Sequence, residues 1–192
     1  MTDDKLFLPP SESLFPIPAV MVSCCSKDGT RNNIITLAWV GTLSSNPPEI
    51  GICIRPSRYS HDMIEATGDF VVNIPSETQA KQADLCGQVS GRHEDKFALC
   101  GLTPAKARKV KSPIIKECPM NIECKLVRVI KDYSKSHHLF LGEIVSVDVS
   151  AEYGEEMDIS KIKPLVFCNG EYWSLGQFLG TMGFSKEDSG SG

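Results

Sequence analysis

The chain lacks most of the features that announce a common chemistry. No hydrophobic run is long enough to span a membrane, and the apolar stretch from Ile17 to Val22 is short and contains proline. The opening Met1-Thr-Asp-Asp-Lys is acidic, unlike a secretory leader, so a cytoplasmic location is expected. A concentrated basic face is missing too: the net charge is −4, and the densest cationic run, Lys106 to Lys111, is short and reads as a solvated loop. Binding a phosphate backbone needs such a face, which argues against nucleic acid as the main partner. None of the eight cysteines (Cys24, Cys25, Cys53, Cys86, Cys100, Cys118, Cys124, Cys168) falls in a C-x-x-C pattern, and no Cys/His set has zinc spacing, so no metal is expected. In a reducing compartment such thiols act as small buried hydrophobes, and a bridge between the vicinal Cys24 and Cys25 would be strained. The four histidines (His61, His93, His137, His138) form no marked haem-ligand arrangement, and His137-His138 reads as the end of a hairpin turn. No G-x-G-x-x-G follows a strand, which excludes a dedicated dinucleotide domain of the Rossmann kind. Repeats and low-complexity linkers are likewise missing, so residues 1–192 are read as one domain with a core over about 15–180.

What is present is an ordinary globular composition, 41% hydrophobic and 23% charged over 192 residues. A chain of this length can bury roughly 70% of its unfolded surface. Segments of β character dominate: Ala19 to Ser26, Ile34 to Ser44, Glu49 to Arg55, Phe70 to Ile74, Ile122 to Lys131, His138 to Val149 and Leu165 to Cys168. Asp28-Gly29 marks a hairpin between the first two. Ile50, Ile52 and Ile54 alternate with Gly51, Cys53 and Arg55, and Val145, Val147 and Val149 alternate with Ser146, Asp148 and Ser150; each isoleucine or valine set is expected to face the core. Two helices are expected, one over about His61 to Thr67 with Ser60 as N-cap and Gly68 as stop, the other after Ser76-Glu-Thr-Gln79, which has capping-box spacing. Many strands with few helices point to a mainly β, closed barrel with peripheral helices, because closure removes exposed edges. The first dozen residues and the tail 185–192 are expected to be loosely held.

The most informative stretch runs from Asn33 to Ser60. It reads as two strands joined at Asn46-Pro47-Pro48, the second ending in Arg55, Ser57, Arg58, Tyr59 and Ser60 just before a helix. Two guanidiniums, serine hydroxyls and a helix amino end suit an anion, with phosphate the natural guest. Together with Trp39 on the partner strand and the following G-D-F-V-V-N-I-P from Gly68 to Pro75, this stretch resembles the flavin reductase-like, FMN-binding split-barrel family and its flavoredoxin branch. The resemblance covers roughly Phe15 to Gly180 and is strongest before Pro75.

The resemblance implies a six-stranded antiparallel Greek-key split barrel that binds FMN and dimerises, with terminal segments able to cross the partner. FMN demands a site for a dianionic phosphate, partners for a row of ribityl hydroxyls, and an apolar or aromatic slot for its ring. Arg55, Arg58, Ser57 and Ser60, with Tyr59 among them, answer the first. Thr36, Leu37, Ala38 and Trp39 lie on the strand expected along the ring, with Cys53 on the neighbouring one. Thr36 and Trp39 have opposite parity, so in a regular strand they cannot both contact the ring from one face. Asn73 and Ile74 match positions that approach the flavin from the adjacent strand. Asn33 carries the same ambiguity as Asn73 between flavin contact and turn residue. Lys96, in G-R-H-E-D-K-F, resembles a lysine that reaches over the flavin, although an exposed loop lysine is an equally simple reading. Tyr172 and Trp173 can close the pocket or merely pack.

The implied activity is electron transfer or oxidoreduction, with NAD(P)H as donor and an unknown acceptor, a small molecule or a protein. No residue is obligatorily catalytic in such a scheme. Two rivals share the barrel: a reductase that uses FMN as a dissociable substrate, and a non-enzymatic protein that stores flavin or senses redox state through its cysteines.

Overall fold

The computed structural model describes residues 4–132, 134–154 and 156–189. In chain order the strands are β1 (Ile17–Pro18), β2 (Val20–Cys25), β3 (Asn32–Leu37), β4 (Val40–Ser45), β5 (Pro48–Ile54), β6 (Asp69–Ile74), β7 (Pro104–Ala105), β8 (Ile114–Ile115), β9 (Met120–Ile130), β10 (His138–Val149), β11 (Val166–Cys168) and β12 (Glu171–Trp173). The α-helices are α1 (Tyr59–Thr67), α2 (Ala80–Gln88), α3 (Lys96–Cys100) and α4 (Ile159–Ile162).

The main sheet has the order β3-β2-β6-β9-β10-β5-β4 and is antiparallel at every pairing. Its two edge strands, β3 and β4, are consecutive in the chain, separated only by Ala38 and Trp39. One ribbon therefore serves both edges and closes the sheet, and the amide of Cys53 in β5 donates to the Trp39 carbonyl at 3.0 Å where it crosses. Counted as one ribbon, β3 and β4 make a six-stranded barrel with β2, β5, β6, β9 and β10. The single strand expected from Ile34 to Ser44 is thus two strands: its first half pairs with β2, its second with β5, and the backbone must turn between them.

Inside the barrel sit Val20, Val22, Cys24, Ile35, Ile50, Ile52, Ile54, Phe70, Val72 and Phe140, with Met63 and Ile64 of α1 packed against them. A second cluster lies on the outer side of β2 and β3, where Met21 and Ile34 meet Ala83 and Cys86 of α2 and Phe97 of α3. Every residue of β2 is consequently buried, which is why Val20–Cys25 reads as an apolar run rather than an alternation. Close packing extends to Gly142 of β10, where a Cβ would stand 2.6 Å from the Phe70 ring.

The isoleucines of β5 face the core as expected. The valines of β10 are not buried as they are: Val147 stands opposite Ile122 yet is exposed, whereas Asp148 is largely covered and accepts from Arg108 at 2.8 Å. The irregularity in the β9–β10 ladder at Ile144/Ser146 leaves Val145 out of the pairing and sets Val147 and Val149 opposite Ile122 and Met120, on the core side of the strand but outside the buried cluster.

Gly68, with φ of 80°, stops α1 as expected. The N-cap is Arg58, not Ser60, because the Ser60 hydroxyl lies within the first turn and accepts from Asn33 Nδ2 at 2.8 Å. Before α2, Gln79 Oε1 accepts from the Ser76 amide at 3.0 Å, closing the expected box over a 3-10 turn. Asp95 caps α3, its Oδ1 accepting from Phe97 and Ala98 amides. At the N-terminus Leu6, Phe7, Leu8 and Leu14 are exposed, as are Phe178, Leu179 and Met182 near the other end. Phe184–Ser189, at the start of the tail expected to be loosely held, forms a 3-10 helix, and residues 190–192 lie outside the described residues.

Candidate functional site

The turn of the closing ribbon, the end of β5 and the head of α1 meet α2 across a groove made of two hollows. Ile35, Arg58 and Gly87 belong to both.

The wider hollow holds roughly 630 Å³ counted to its open mouth. It is walled by Thr36, Leu37, Ala38 and Trp39 of the ribbon, Cys53 and Arg55 of β5 and its extension, and His137. The bend after Leu37 breaks the strict alternation, so Thr36 and Trp39 both border it despite their opposite parity. Thr36 does so with its hydroxyl already donated to the Ala83 carbonyl at 2.5 Å, which ties α2 to β3. Trp39 remains 42% exposed, and the His137 ring lies against it at 4.4 Å between centroids, tilted by 47°. The indole is therefore a wall of the hollow rather than core.

Arg55 donates from Nε to His137 Nε2 at 3.3 Å, and the other ring nitrogen, Nδ1, is 2.9 Å from Ser136 Oγ. Burial, followed by the Arg55 charge, holds the His137 pKa below the usual histidine range. The neutral ring thus accepts at Nε2, with its proton on Nδ1 toward Ser136, a tautomer assigned from this network. His137 was read from sequence as a turn residue. Its role follows from the β5–β10 register, which sets His138 opposite Ile54 and so brings His137 beside Arg55. Nothing in the local sequence carries that pairing.

The narrower hollow is the cationic end. Ser57, Arg58, Tyr59 and Ser60 border it from the head of α1, Asn33 and Ile35 from β3, and Ser90 and Gly91 from the loop after α2. Arg31 and Arg92 lie over the Tyr59 ring, at 5.4 and 5.0 Å from its centroid. Asn33 is buried, and its Oδ1 has no hydrogen-bond partner while its Nδ2 holds Ser60. Gly91 presses directly on that amide; a Cβ there would stand 2.0 Å from Asn33 Oδ1. Gly87, Ser90 and Gly91 were missed in the sequence. A glycine inside α2 was the available signal, since it weakens a helix unless something must approach closely.

Lys96 borders this cationic hollow and not the wider one. It is only 4% exposed, so the loop-lysine reading fails, and its Nζ donates to the carbonyls of Ile34 at 2.8 Å and Cys86 at 2.6 Å. Burial holds its pKa below the usual lysine range. Its position at the first turn of α3 lets one ammonium tie β3 to α2 beneath the groove. Asn73 and Ile74 border neither hollow. Asn73 is fully buried and committed: Nδ2 donates to Met21 O and Ser23 Oγ, and Oδ1 accepts from Ile115 N and Asn121 Nδ2. Ile74 packs against the barrel core. Tyr172 meets Phe167 edge to face at 5.4 Å and packs on the outer cluster, and Trp173 is exposed; neither closes the groove.

The donor set matches FMN from end to end. Arg58 and the serine hydroxyls at a helix start fit a phosphate. The partnerless Asn33 Oδ1 awaits a donor such as a ribityl hydroxyl. The indole-lined hollow offers the flat, partly apolar slot a tricyclic ring requires.

A closed antiparallel barrel bearing a groove graded from guanidinium to indole defines a flavin-binding split-barrel protein. The chain belongs to the family of the flavin reductase like domain, whose profile matches residues 12–176. Among solved structures it is similar to the flavoredoxin of Desulfovibrio vulgaris (Miyazaki F), with a TM-score of 0.87, 34% identity, and coverage of 95% of this chain and 99% of that one. It is 40% identical over 117 residues to an uncharacterised protein of Archaeoglobus fulgidus, covering 61% of this chain and 65% of that one. It is also 30% identical over 133 residues to the reductase subunit of a flavin-dependent monooxygenase of Mycobacterium tuberculosis, covering 69% of this chain and 63% of the subunit. Both of these matches span just under two thirds of the relative's length. Among the described residues no helix is long and apolar enough to cross a membrane.

Proposed function

We propose that the groove holds FMN as a resident group and that the protein is a cytoplasmic, homodimeric electron-transfer flavoprotein drawing on NAD(P)H. The observation that carries this reading is the junction of the two hollows at Arg58, which joins an anion end to an aromatic end in one continuous groove. When bound, FMN would supply the redox chemistry, accepting a hydride from the nicotinamide at its N5 position and passing electrons to an acceptor, small or protein-borne.

The chain's own residues bind and orient. Arg58, Ser57 and Ser60 hold the phosphate, and the free N–H groups at the start of α1 add to them. Trp39 and His137 shape the ring wall, and His137, neutral, fixes the direction of the Arg55 guanidinium. Lys96 and Thr36 keep β3 and α2 at the spacing the groove needs. In support, the similar structure carries the name flavoredoxin.

A second reading, FMN as a dissociable substrate reduced for delivery elsewhere, draws support from the likeness to a monooxygenase reductase subunit. Gel filtration separates the two. A yellow protein that keeps its flavin absorption through the column supports the resident cofactor, whereas a colourless protein that oxidises NADH only with added FMN supports the alternative. Failure to bind FMN at all would remove both.

A further inference from the structure

The cysteines left aside by the flavin reading are not evenly spread. Cys86 Sγ and Cys100 Sγ are 3.4 Å apart, in hydrogen-bond contact, on two different helices. Cys86 is fully buried on the inner side of α2, whereas Cys100, at the end of α3, is partly exposed. Cys100 is thus the less covered of the two, its Sγ also 4.0 Å from the Gln82 carbonyl, and Cys86 stands behind it. Cys118, which shares the same cluster, is engaged by Gln79 Nε2 at 3.8 Å.

We propose that Cys86 and Cys100 form a dithiol site whose substrate is a small-molecule disulfide. Cys100 attacks one sulfur of R–S–S–R and releases the first RSH, leaving a mixed disulfide at Cys100. Cys86 then attacks Cys100 Sγ and expels the second RSH, leaving an internal Cys86–Cys100 bridge. Two electrons pass from the dithiol to the small disulfide, and the two thiol protons leave on the two released thiols.

The geometry suits both steps. Burial pushes the Cys86 thiol well above the usual range, so it waits in the protonated form while its less covered partner makes first contact. The ammonium of Lys96, donated at 2.6 Å to the carbonyl of Cys86 itself, is the nearby positive charge that favours the thiolate when resolution begins. Bond formation must shorten the separation from 3.4 Å to about 2.05 Å. α3 is only five residues long and ends at Gly101 in the left-handed conformation, so a small shift of its last turn suffices.

The bridge would connect the two helices that flank the loop bearing Ser90 and Gly91. The site nevertheless stands on the sulfur geometry alone and does not depend on the flavin reading.

The test treats the reduced full-length protein with glutathione disulfide, then alkylates the remaining thiols and maps the peptides by mass spectrometry. Wild type should lose two of its eight alkylatable thiols, carry no glutathionyl adduct, and yield a linked Cys86–Cys100 peptide. Cys86→Ala should trap one glutathionyl group on Cys100, and Cys100→Ala should leave Cys86 unmodified. A glutathionyl group that persists on Cys100 in the wild type, a bridge between any other pair, or an unreacted Cys100 overturns the proposal. The wild-type map decides on its own if either variant fails to fold. Running it with and without added FMN keeps this outcome separate from that of the flavin proposal.

Discussion

Arg58 stands where both hollows meet, and its guanidinium is the cation that a phosphate in the groove would meet. Arg58→Ala should weaken FMN by about 1.5–3 kcal/mol, the range for a hydrogen bond to a charged group. Riboflavin, which carries no phosphate, should lose far less, and fluorescence titration with each flavin reads the difference. Equal losses would contradict the assignment. His137 supplies a pH-dependent counterpart. Its pKa is depressed on folding, so the unfolded chain binds the proton more readily; the stability gained from a neutral ring is present above the unfolded value and is lost as pH falls through the folded one. The melting temperature of wild type should fall as pH drops below about 6.5, and His137→Gln should flatten that part of the profile. Lys96→Met should lower stability by about 2–3 kcal/mol in a urea melt, since it strips the carbonyls of Ile34 and Cys86 of a buried donor.

At the scale of elements, α3 is short enough for its cap to decide whether it forms. Asp95→Ala removes the acceptor of two first-turn amides and should cost about 1 kcal/mol, measurable as a shift in denaturation midpoint. The elements were legible in sequence where local chemistry dictates them: Gly68 as a stop, Gln79 as a box partner, the isoleucines of β5 as a core face. They were not where tertiary pairing overrides the local pattern. The ribbon from Ile34 to Ser44 looks continuous because nothing in its residues marks the change of partner from β2 to β5. The valines of β10 alternate as a core face should, and the register sets Val147 opposite Ile122, yet this end of β10 lies outside the buried cluster and Val147 is exposed. The site divides the same way. The run Arg55 to Ser60 is contiguous and readable, whereas His137, Ser90 and Gly91 arrive from distant chain, and Asn73, polar at a strand end, proves to be an interior knot of five hydrogen bonds.

Taken whole, the molecule exposes large apolar side chains at both ends: Leu6, Phe7, Leu8 and Leu14 at one, Phe178, Leu179 and Met182 at the other. Clustered apolar groups of this kind mark a contact surface. On the proposed homodimer, light scattering should return twice the chain mass, and deletion of residues 1–14 should shift the population toward monomer. A monomeric full-length protein would count against the dimer while leaving the groove untouched.

Closure of the barrel through Ala38 and Trp39 ties binding to breathing. Because the same short turn joins the two sheet margins and lines the wider hollow, opening that seam would uncover strand edges and dismantle the ligand's wall in one motion. A bound flavin should therefore slow amide hydrogen exchange not only around its own contacts but along β3, β4 and β5, so that the occupied groove latches the cylinder shut.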